Sequence, residues 1–115
     1  MKVFVEPLGA ALGHLQQATM WFLQNALAKP DNAGAGSTDY MHLFGLVALG
    51  YMWALMAKAA LEKRAGGADG KEEFLASKLL VGKFYMERIM PETALRKTRI
   101  ETGSDTMMEL AEAAF

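Results

Sequence analysis

The sequence predicts an all-α fold, an up-and-down bundle of four main helices with a short helix at the C-terminus. Long segments carry apolar residues at three-to-four spacing, and no stretch of useful length alternates as a strand does. Segments 29–37 and 65–70, rich in Gly, Pro, Asp and Asn, are expected to be surface loops. With 115 residues, of which 52% are hydrophobic, the chain is expected to form a single domain over 1–115.

The first helix is predicted from about residue 7 to 28. Pro7 suits a first helical turn, where its missing N–H would have no partner anyway. The apolar positions recur along one stripe, while glutamines occupy the other side, so we expect an amphipathic surface helix. The stripe contains Leu8, Leu12, Leu15, Thr19, Phe22, Leu23, Ala26 and Leu27.

The second and central helix is predicted at about 38–65, after the N-cap candidates Ser37, Thr38 and Asp39. It carries apolar residues on nearly every side, so we expect it to be buried nearly all round. One apolar seam contains Met41, Phe44, Ala48, Tyr51, Leu55 and Ala59, and a second contains Tyr40, Leu43, Val47, Ala54 and Leu61.

The third helix is predicted to begin with Asp69 as its cap and Glu72 reaching back to it. Pro91 either kinks this helix or ends it, and we favour an end, with a new helix over 92–102. Gly103 is then a C-terminal cap, and 104–105 begin a last short helix that ends at 115. The apolar stripe of the third helix contains Phe74, Leu75, Leu79, Val81, Phe84, Tyr85 and Ile89.

Residues 40–57 carry no charge and approach the roughly 20 residues that span a bilayer. Three features favour the centre of a bundle instead. His42 and two glycines dilute the run, and the other helices carry apolar stripes that need a partner. The separation of Gly45 and Gly50 is also one residue too long for the small-xxx-small motif of membrane helices. We therefore predict no membrane span and a cytoplasmic protein.

The sequence offers no catalytic, cofactor-binding or metal-binding residues of its own. There is no cysteine, and neither His14 nor His42 has the glutamate three residues earlier that a di-iron site requires. No Gly-x-Ser-x-Gly occurs, and the glycines at 34 and 36 lack the preceding strand and third glycine of a dinucleotide fingerprint. The net charge of −1 gives no reason to expect nucleic acid as a partner.

Basic residues concentrate between the third helix and residue 102. Two interpretations remain open: a solvated face paired with local glutamates, or a surface that docks on an acidic or phosphate-bearing partner. The candidates for such a docking face are Lys83, Arg88, Arg96, Lys97 and Arg99.

Two blocks resemble a known family. They are DYMHLFGLVALGYMWA at 39–54 and KLLVGKFYMERIMPET at 78–93, followed by IETG at 100–103 and MMEL at 107–110. This pattern resembles the helical domain at the C-terminus of long bacterial acyl-CoA dehydrogenases, the group that includes methylmercaptopropionyl-CoA dehydrogenase. Met90 stands where that pattern usually has leucine, a tolerable exchange in a core.

The resemblance implies a domain that supports or oligomerises the catalytic body of the same polypeptide, in a protein that is itself a homo-oligomer. FAD and the oxidation of an acyl-CoA to an enoyl-CoA would belong to the parent enzyme, and this chain alone would be inactive. The start at Met1, just before a helix, suggests a piece of a larger protein. A free-standing helical interaction module is the alternative, and a membrane-associated helical protein is a third. The residues that match helix-packing and turn positions of the family are Tyr40, Gly45, Trp53, Tyr85 and Pro91.

Overall fold

A computed structural model describes residues 1–67 and 70–114. Four main helices run through them: α1 (Lys2–Asn25), α2 (Pro30–Ala65), α3 (Glu72–Phe84) and α4 (Glu92–Thr102). A π-helical turn (Tyr85–Ile89) follows α3, and the chain closes with the short helix α5 (Asp105–Met108) and a 3-10 turn (Glu112–Ala114). The predicted all-α bundle of four main helices is therefore confirmed for this part of the chain.

α2 is the central helix and contacts α1, α3, α4 and the π turn. One side of α2 supplies the inner residues Leu43, Val47, Gly50 and Ala57, all of which are buried. Gly50 makes room for Met90, because a Cβ placed on Gly50 would lie 1.8 Å from the Met90 methyl. The core therefore runs along a single side of α2.

α2 begins at Pro30, eight residues before the sequence-based start, so the prediction of a loop over 29–37 is wrong except at Lys29. Pro30 occupies the first helical position, where its ring is already set to the helical φ. Tertiary contacts then keep the glycine-rich turns helical. Gly36 is buried, and a Cβ there would lie 2.8 Å from the Phe22 ring and 3.5 Å from Ile100.

α1 also begins earlier than predicted, at Lys2, and continues through Pro7 to Asn25 instead of 28. Phe4 explains the extension, because it is buried against Gly82 of α3. This contact orders the turn before Pro7. The proline ring removes only one hydrogen bond so close to a helix start.

The second half of the α3 stripe differs from the prediction because of the π turn. In a continuous α-helix Ile89 and Met90 would lie at similar angles on either side of the buried row of Leu75, Leu79 and Gly82. The π turn inserts one extra residue, so Met90 is buried (1% exposed) and Ile89 is 38% exposed. Pro91 then ends the segment and α4 begins at Glu92, as favoured. The proposed cap Asp69 lies outside the described residues.

The predicted cap at Gly103 is confirmed: its φ of 77° lies in the left-handed region that favours glycine. Ser104 is the N-cap of α5, as expected, but α5 ends at Met108 and does not run to 115. Phe115 lies outside the described residues.

The molecule is long and thin. Its Cα radius of gyration is 19.1 Å, whereas a compact domain of this length has about 13 Å. The principal extents are 69 × 28 × 15 Å, so the helices form little more than one layer. The accessible surface is 7747 Å², against about 6,200 Å² for a compact protein of this mass. A single layer leaves apolar residues without partners.

Candidate docking surfaces

The side of α2 opposite the core is exposed. Its central row, here called the outer seam, consists of Met41, Gly45, Ala48, Met52, Leu55 and Ala59, spaced four and three residues apart in turn. Met41 is 64% exposed, Met52 53% and Leu55 44%. The prediction that α2 is buried nearly all round is therefore wrong: the seam that includes Leu43 and Val47 faces the core, and the seam that includes Met41 and Leu55 faces outwards.

A groove of about 290 Å³ lies beside the outer seam, between α1 and α2. Its lining is aliphatic and aromatic, with the Tyr51 hydroxyl as the one polar side-chain atom among the described residues around it: Leu8, Leu12, Leu15, Phe44, Val47, Ala48 and Tyr51. FAD has several polar atoms on its flavin ring and a pyrophosphate in its dinucleotide chain, and both require matched donors and charges. The groove does not fit FAD, and it suits another apolar surface.

α3 carries a second exposed apolar row, here called the α3 patch: Phe74, Leu80, Val81 and Phe84. Phe84 is 57% exposed although the sequence stripe placed it in the core. The buried side of α3 consists of Leu75 and Gly82, which contact α2 and α1, so the large aromatic residues lie outside. Lys78 lies over the Phe74 ring at 5.3 Å, a cation–π contact at the edge of the patch.

The five basic candidates do not share one face. Lys83 and Arg88 lie on α3 and the π turn, next to Phe84, and Lys83 is 3.8 Å from Glu87. The other three lie on α4. Arg96 donates to Asp39 of α2 at 2.7 Å and to Glu92 at 3.4 Å, and this pairing raises the pKa of Arg96.

The remaining α4 cations also have carboxylate partners. Lys97 is 3.0 Å from Glu101, and Arg99 is 3.7 Å from Asp39. Carboxylates of α2 (Asp39) and of α4 itself (Glu92 and Glu101) therefore pair with the basic cluster on α4. Of the five candidates, only Lys83 and Arg88 lie on the segment that carries the α3 patch.

Three of the five packing candidates contact other helices, and a fourth, Pro91, lies at the turn before α4. Tyr40 packs edge-on against Phe22 at 5.2 Å, and its hydroxyl is 2.7 Å from the Thr19 hydroxyl. Trp53 lies 6.5 Å from Tyr85 between ring centres. Tyr85 donates to the Leu46 carbonyl at 2.7 Å, and burial, with a smaller effect of Glu92, raises the pKa of its phenol. Pro91 is the N-cap residue of α4.

The fifth candidate, Gly45, lies in the outer seam, and a Cβ placed there would meet nothing within 4 Å. Gly50 and Gly82 provide the close helix approaches inside this chain. At Gly82 a Cβ would lie 2.7 Å from the Phe4 ring and 3.1 Å from Trp53. Within the described part of the chain, Gly45 therefore has room for a side chain, unlike Gly50 and Gly82.

Asn32 joins three elements and was missed by sequence reasoning because it falls in the segment predicted as a loop. Its Oδ1 accepts from the backbone N–H and the hydroxyl of Ser104, at 3.0 and 2.8 Å, and its Nδ2 donates to the Asn25 carbonyl. Asn32 and Ser104 are both buried. The start of α2, the end of α1 and the start of α5 are thereby held together.

The possible reactive groups are dispersed. Within 1–67 and 70–114, no group of three or more His, Cys, Asp or Glu side chains converges as a metal site would require. His14 is hydrogen-bonded to the buried Thr93 at 2.9 Å, which links α1 to α4. This pair has a structural role between two helices.

In the described part of the chain, α2 is the one helix long and apolar enough to cross a bilayer by length and composition. The most apolar 18-residue window has a mean hydropathy of 1.6 and is one-third buried. A helix at the centre of a soluble bundle meets the same criterion, so this single helix does not by itself indicate a membrane protein.

Fold and surface together define a thin helical domain that exposes apolar residues on α2 and α3 and, in its described residues, holds no cluster of metal-ligating side chains. Residues 1–111 match the model of the family described as "acetyl-CoA dehydrogenase C-terminal like". Because this match covers almost the whole chain, the chain belongs to that family. The resemblance seen in the two sequence blocks is thereby confirmed.

Two curated relatives are similar over most of this chain. The 3-methylmercaptopropionyl-CoA dehydrogenase of Ruegeria pomeroyi is 30% identical over 99 residues, which are 86% of this chain and 15% of that protein. The broad-specificity linear acyl-CoA dehydrogenase FadE5 of Mycobacterium tuberculosis is 30% identical over 113 residues, 96% of this chain and 18% of that protein. The chain thus spans less than a fifth of the length of the curated relatives it matches.

Proposed function

We propose that this chain is the non-catalytic C-terminal helical domain of a cytoplasmic, FAD-dependent acyl-CoA dehydrogenase, and that it supports the catalytic body of the same polypeptide by packing against it. The parent enzyme would oxidise an acyl-CoA thioester to the enoyl-CoA, with FAD as hydride acceptor. The chemistry would reside in the rest of the polypeptide. The helical domain would supply a surface that packs against the catalytic body and makes it more rigid.

The observation that carries this proposal is the exposed apolar surface of a single-layer domain. Phe74, Leu80, Val81 and Phe84 are each at least half exposed. Side chains of this size expose on the order of 150–250 Å² when free, so an area of roughly 400 Å² is available for burial. An area of this size equals the largest apolar patch of a typical soluble monomer, and such a patch is often functional.

The α3 patch is the part of this surface that fits a partner of different shape. Its side chains are large, and the one small residue among them, Ser77, is polar, so an identical patch offers no apolar hollow into which they could insert. Lys83 and Arg88 lie at its end beside Phe84. The complementary surface would be a concave apolar area with an acidic rim, and the relatives, more than five times longer than this chain, provide ample further polypeptide.

The test uses the full-length polypeptide that contains this chain and compares Phe84→Asp with the control Leu27→Asp. Leu27 lies beyond the end of α1 and is 86% exposed, so an added charge there meets water. Phe84→Asp places a charge in the proposed contact, where an unpaired charge is strongly unfavourable. We expect limited proteolysis to release the helical domain at least tenfold faster from Phe84→Asp than from Leu27→Asp, while flavin content is retained.

Equal release from the two variants and the unsubstituted protein would contradict docking through α3. Loss of flavin absorbance on deletion of 1–115, with the remaining polypeptide still folded by circular dichroism, would contradict a purely supporting role.

A further inference from the structure

The outer seam of α2 has the residue pattern of a helix that packs against another helix. The spacing of four and three residues continues from Met41 to Ala59, which is the heptad pattern of coiled-coil contacts. The seam is about 27 Å long at 1.5 Å per residue. Lys58 is the one charged residue between 41 and 59, and it lies outside the seam. Every position of the seam can therefore contact an apolar partner.

The order of large and small residues in the seam is self-complementary. The three pairs Met41 and Ala59, Gly45 and Leu55, and Ala48 and Met52 are each equidistant from Gly50 along the helix. Each pair joins a large residue to a small one. If a second α2 is laid antiparallel on the first, with the two-fold axis at the level of Gly50, every large side chain meets a Gly or Ala. Alternating large and small residues across an interface is what dense packing requires.

We infer that the outer seam binds the outer seam of a second copy of this chain, antiparallel and related by a two-fold axis. A two-fold axis of this kind makes the same surface serve both copies, so the surface must be complementary to itself. A parallel pair would set Gly45 against Gly45 and Met52 against Met52, which leaves a hollow at one level and a clash at another. The antiparallel arrangement avoids both.

The residues beside the seam extend the contact. A two-fold axis perpendicular to α2 keeps α1 of both copies on the same side, so the grooves lined by Leu12, Phe44 and Tyr51 face each other. The seam and these flanks would bury on the order of 600 Å² per copy, or about 1,200 Å² in total, which reaches the lower limit of stable interfaces. The thin layer would thereby become a two-layer bundle with a covered core. The inference does not depend on the proposed function, because it uses the opposite side of α2 from the core and does not use the α3 patch.

Gly45→Glu is the decisive variant, with Gly9→Glu as its matched control. Both glycines lie in helices, and a Cβ at either position meets nothing within 4 Å. The monomer should therefore accept both substitutions, and helix propensity favours both. Only Gly45→Glu would place a charge opposite Leu55 of the second copy.

Sedimentation equilibrium gives the mass. We expect the chain and Gly9→Glu to have twice the 12.6 kDa chain mass, and Gly45→Glu to have the chain mass with an unchanged circular dichroism spectrum. A monomeric unsubstituted chain would overturn the inference, as would a dimeric Gly45→Glu. Flotation of a monomeric chain with phosphatidylcholine vesicles would overturn it in favour of a lipid surface.

Cross-linking gives the orientation, since the chain has no cysteine of its own. Mixed chains carrying Gly45→Cys and Leu55→Cys, one of them enlarged by a tag, should form the mixed disulfide on oxidation, because facing Cβ atoms in such a pair are within disulfide range. Disulfides only between identical chains would overturn the antiparallel arrangement.

Discussion

Two neighbouring glycines at the start of α2 should respond to alanine with opposite signs. Gly34 and Gly36 both lie in the segment that the sequence presents as a loop and the structure as helix. A Cβ on Gly34 meets nothing within 4 Å. Gly34→Ala should therefore stabilise the protein by about 0.5–1 kcal/mol, because alanine loses less backbone entropy in a helix.

Gly36→Ala gains the same propensity but collides with a fixed ring. The new Cβ would lie 2.8 Å from Cζ and 3.1 Å from Cε1 of Phe22. Phe22 is itself held edge-on between Trp21 and Tyr40, with ring centres 5.7 and 5.2 Å away. Overpacking of this kind costs about 1–3 kcal/mol, so the two variants should differ by about 2 kcal/mol in the free energy of unfolding.

Urea unfolding followed by circular dichroism at 222 nm measures this difference, provided that the slope of the transition is unchanged. Surface loop substitutions usually stay within about 0.5 kcal/mol of the parent. If both variants fall within that range of each other, residues 30–37 are not packed as an ordered helix and the placement of α2 is refuted.

Two further substitutions test the buried polar contacts. Asn32→Ala should lower the free energy of unfolding by about 2–3 kcal/mol, because the buried N–H and hydroxyl of Ser104 lose their acceptor. The control is Ser37→Ala, at an exposed hydroxyl. It should change the free energy of unfolding by less than about 0.5 kcal/mol. Tyr85→Phe should cost about 1 kcal/mol for the lost bond to Leu46. The folded state raises the pKa of Tyr85 above its ordinary 10.0, mainly by burial, so the folded protein holds this proton more tightly than the unfolded chain. Stability of the parent should therefore fall as pH rises from 10, and Tyr85→Phe should fall less steeply in urea titrations over that range; equal slopes would contradict the buried phenol.

Periodicity alone was sufficient to predict the class of fold and the central position of α2, because a helix with apolar residues on every side needs partners. It could not show which partners lie in the same chain. Only one side of α2 is covered by α1, α3 and α4, and the seam with Met41 and Leu55 carries the same apolar signal as the seam with Leu43 and Val47. A position buried within the chain and a position buried against another protein are both occupied by apolar residues, so the sequence does not distinguish them.

The helix starts were missed where tertiary contacts outweigh local preference. Proline and glycine at 30–36 are breakers by propensity, yet Asn32 and Gly36 fit contacts with α1, α4 and Ser104 that only the fold provides. The π turn was missed for a related reason. Nothing in the spacing of Tyr85, Ile89 and Met90 indicates the extra residue that moves Met90 inside.

The candidate sites were predictable to different degrees. Tyr85 contacts α2, whereas Gly45 lies on an exposed face, and the family resemblance alone does not separate these roles. The basic cluster looked continuous along the chain, but Arg96 turns inward to Asp39 while Arg88 stays exposed beyond Phe84. The sequence shows that these basic residues are close along the chain. Only the fold shows which of them lie on the same exposed face.

Methionine oxidation measures most directly whether the outer face of α2 is covered by protein, and it requires no substitution. The probes are Met41 and Met52 on the outer seam, with buried Met86 and Met90 as protected references and Met20, 52% exposed on α1, as the reactive reference. Oxidation by peroxide follows exposure of the thioether. In the full-length, assembled protein we expect Met41 and Met52 to oxidise as slowly as Met86 and Met90, at least tenfold more slowly than Met20. Oxidation of Met41 and Met52 at the rate of Met20 would show that the apolar face of α2 meets water, and would contradict a domain whose role is to pack.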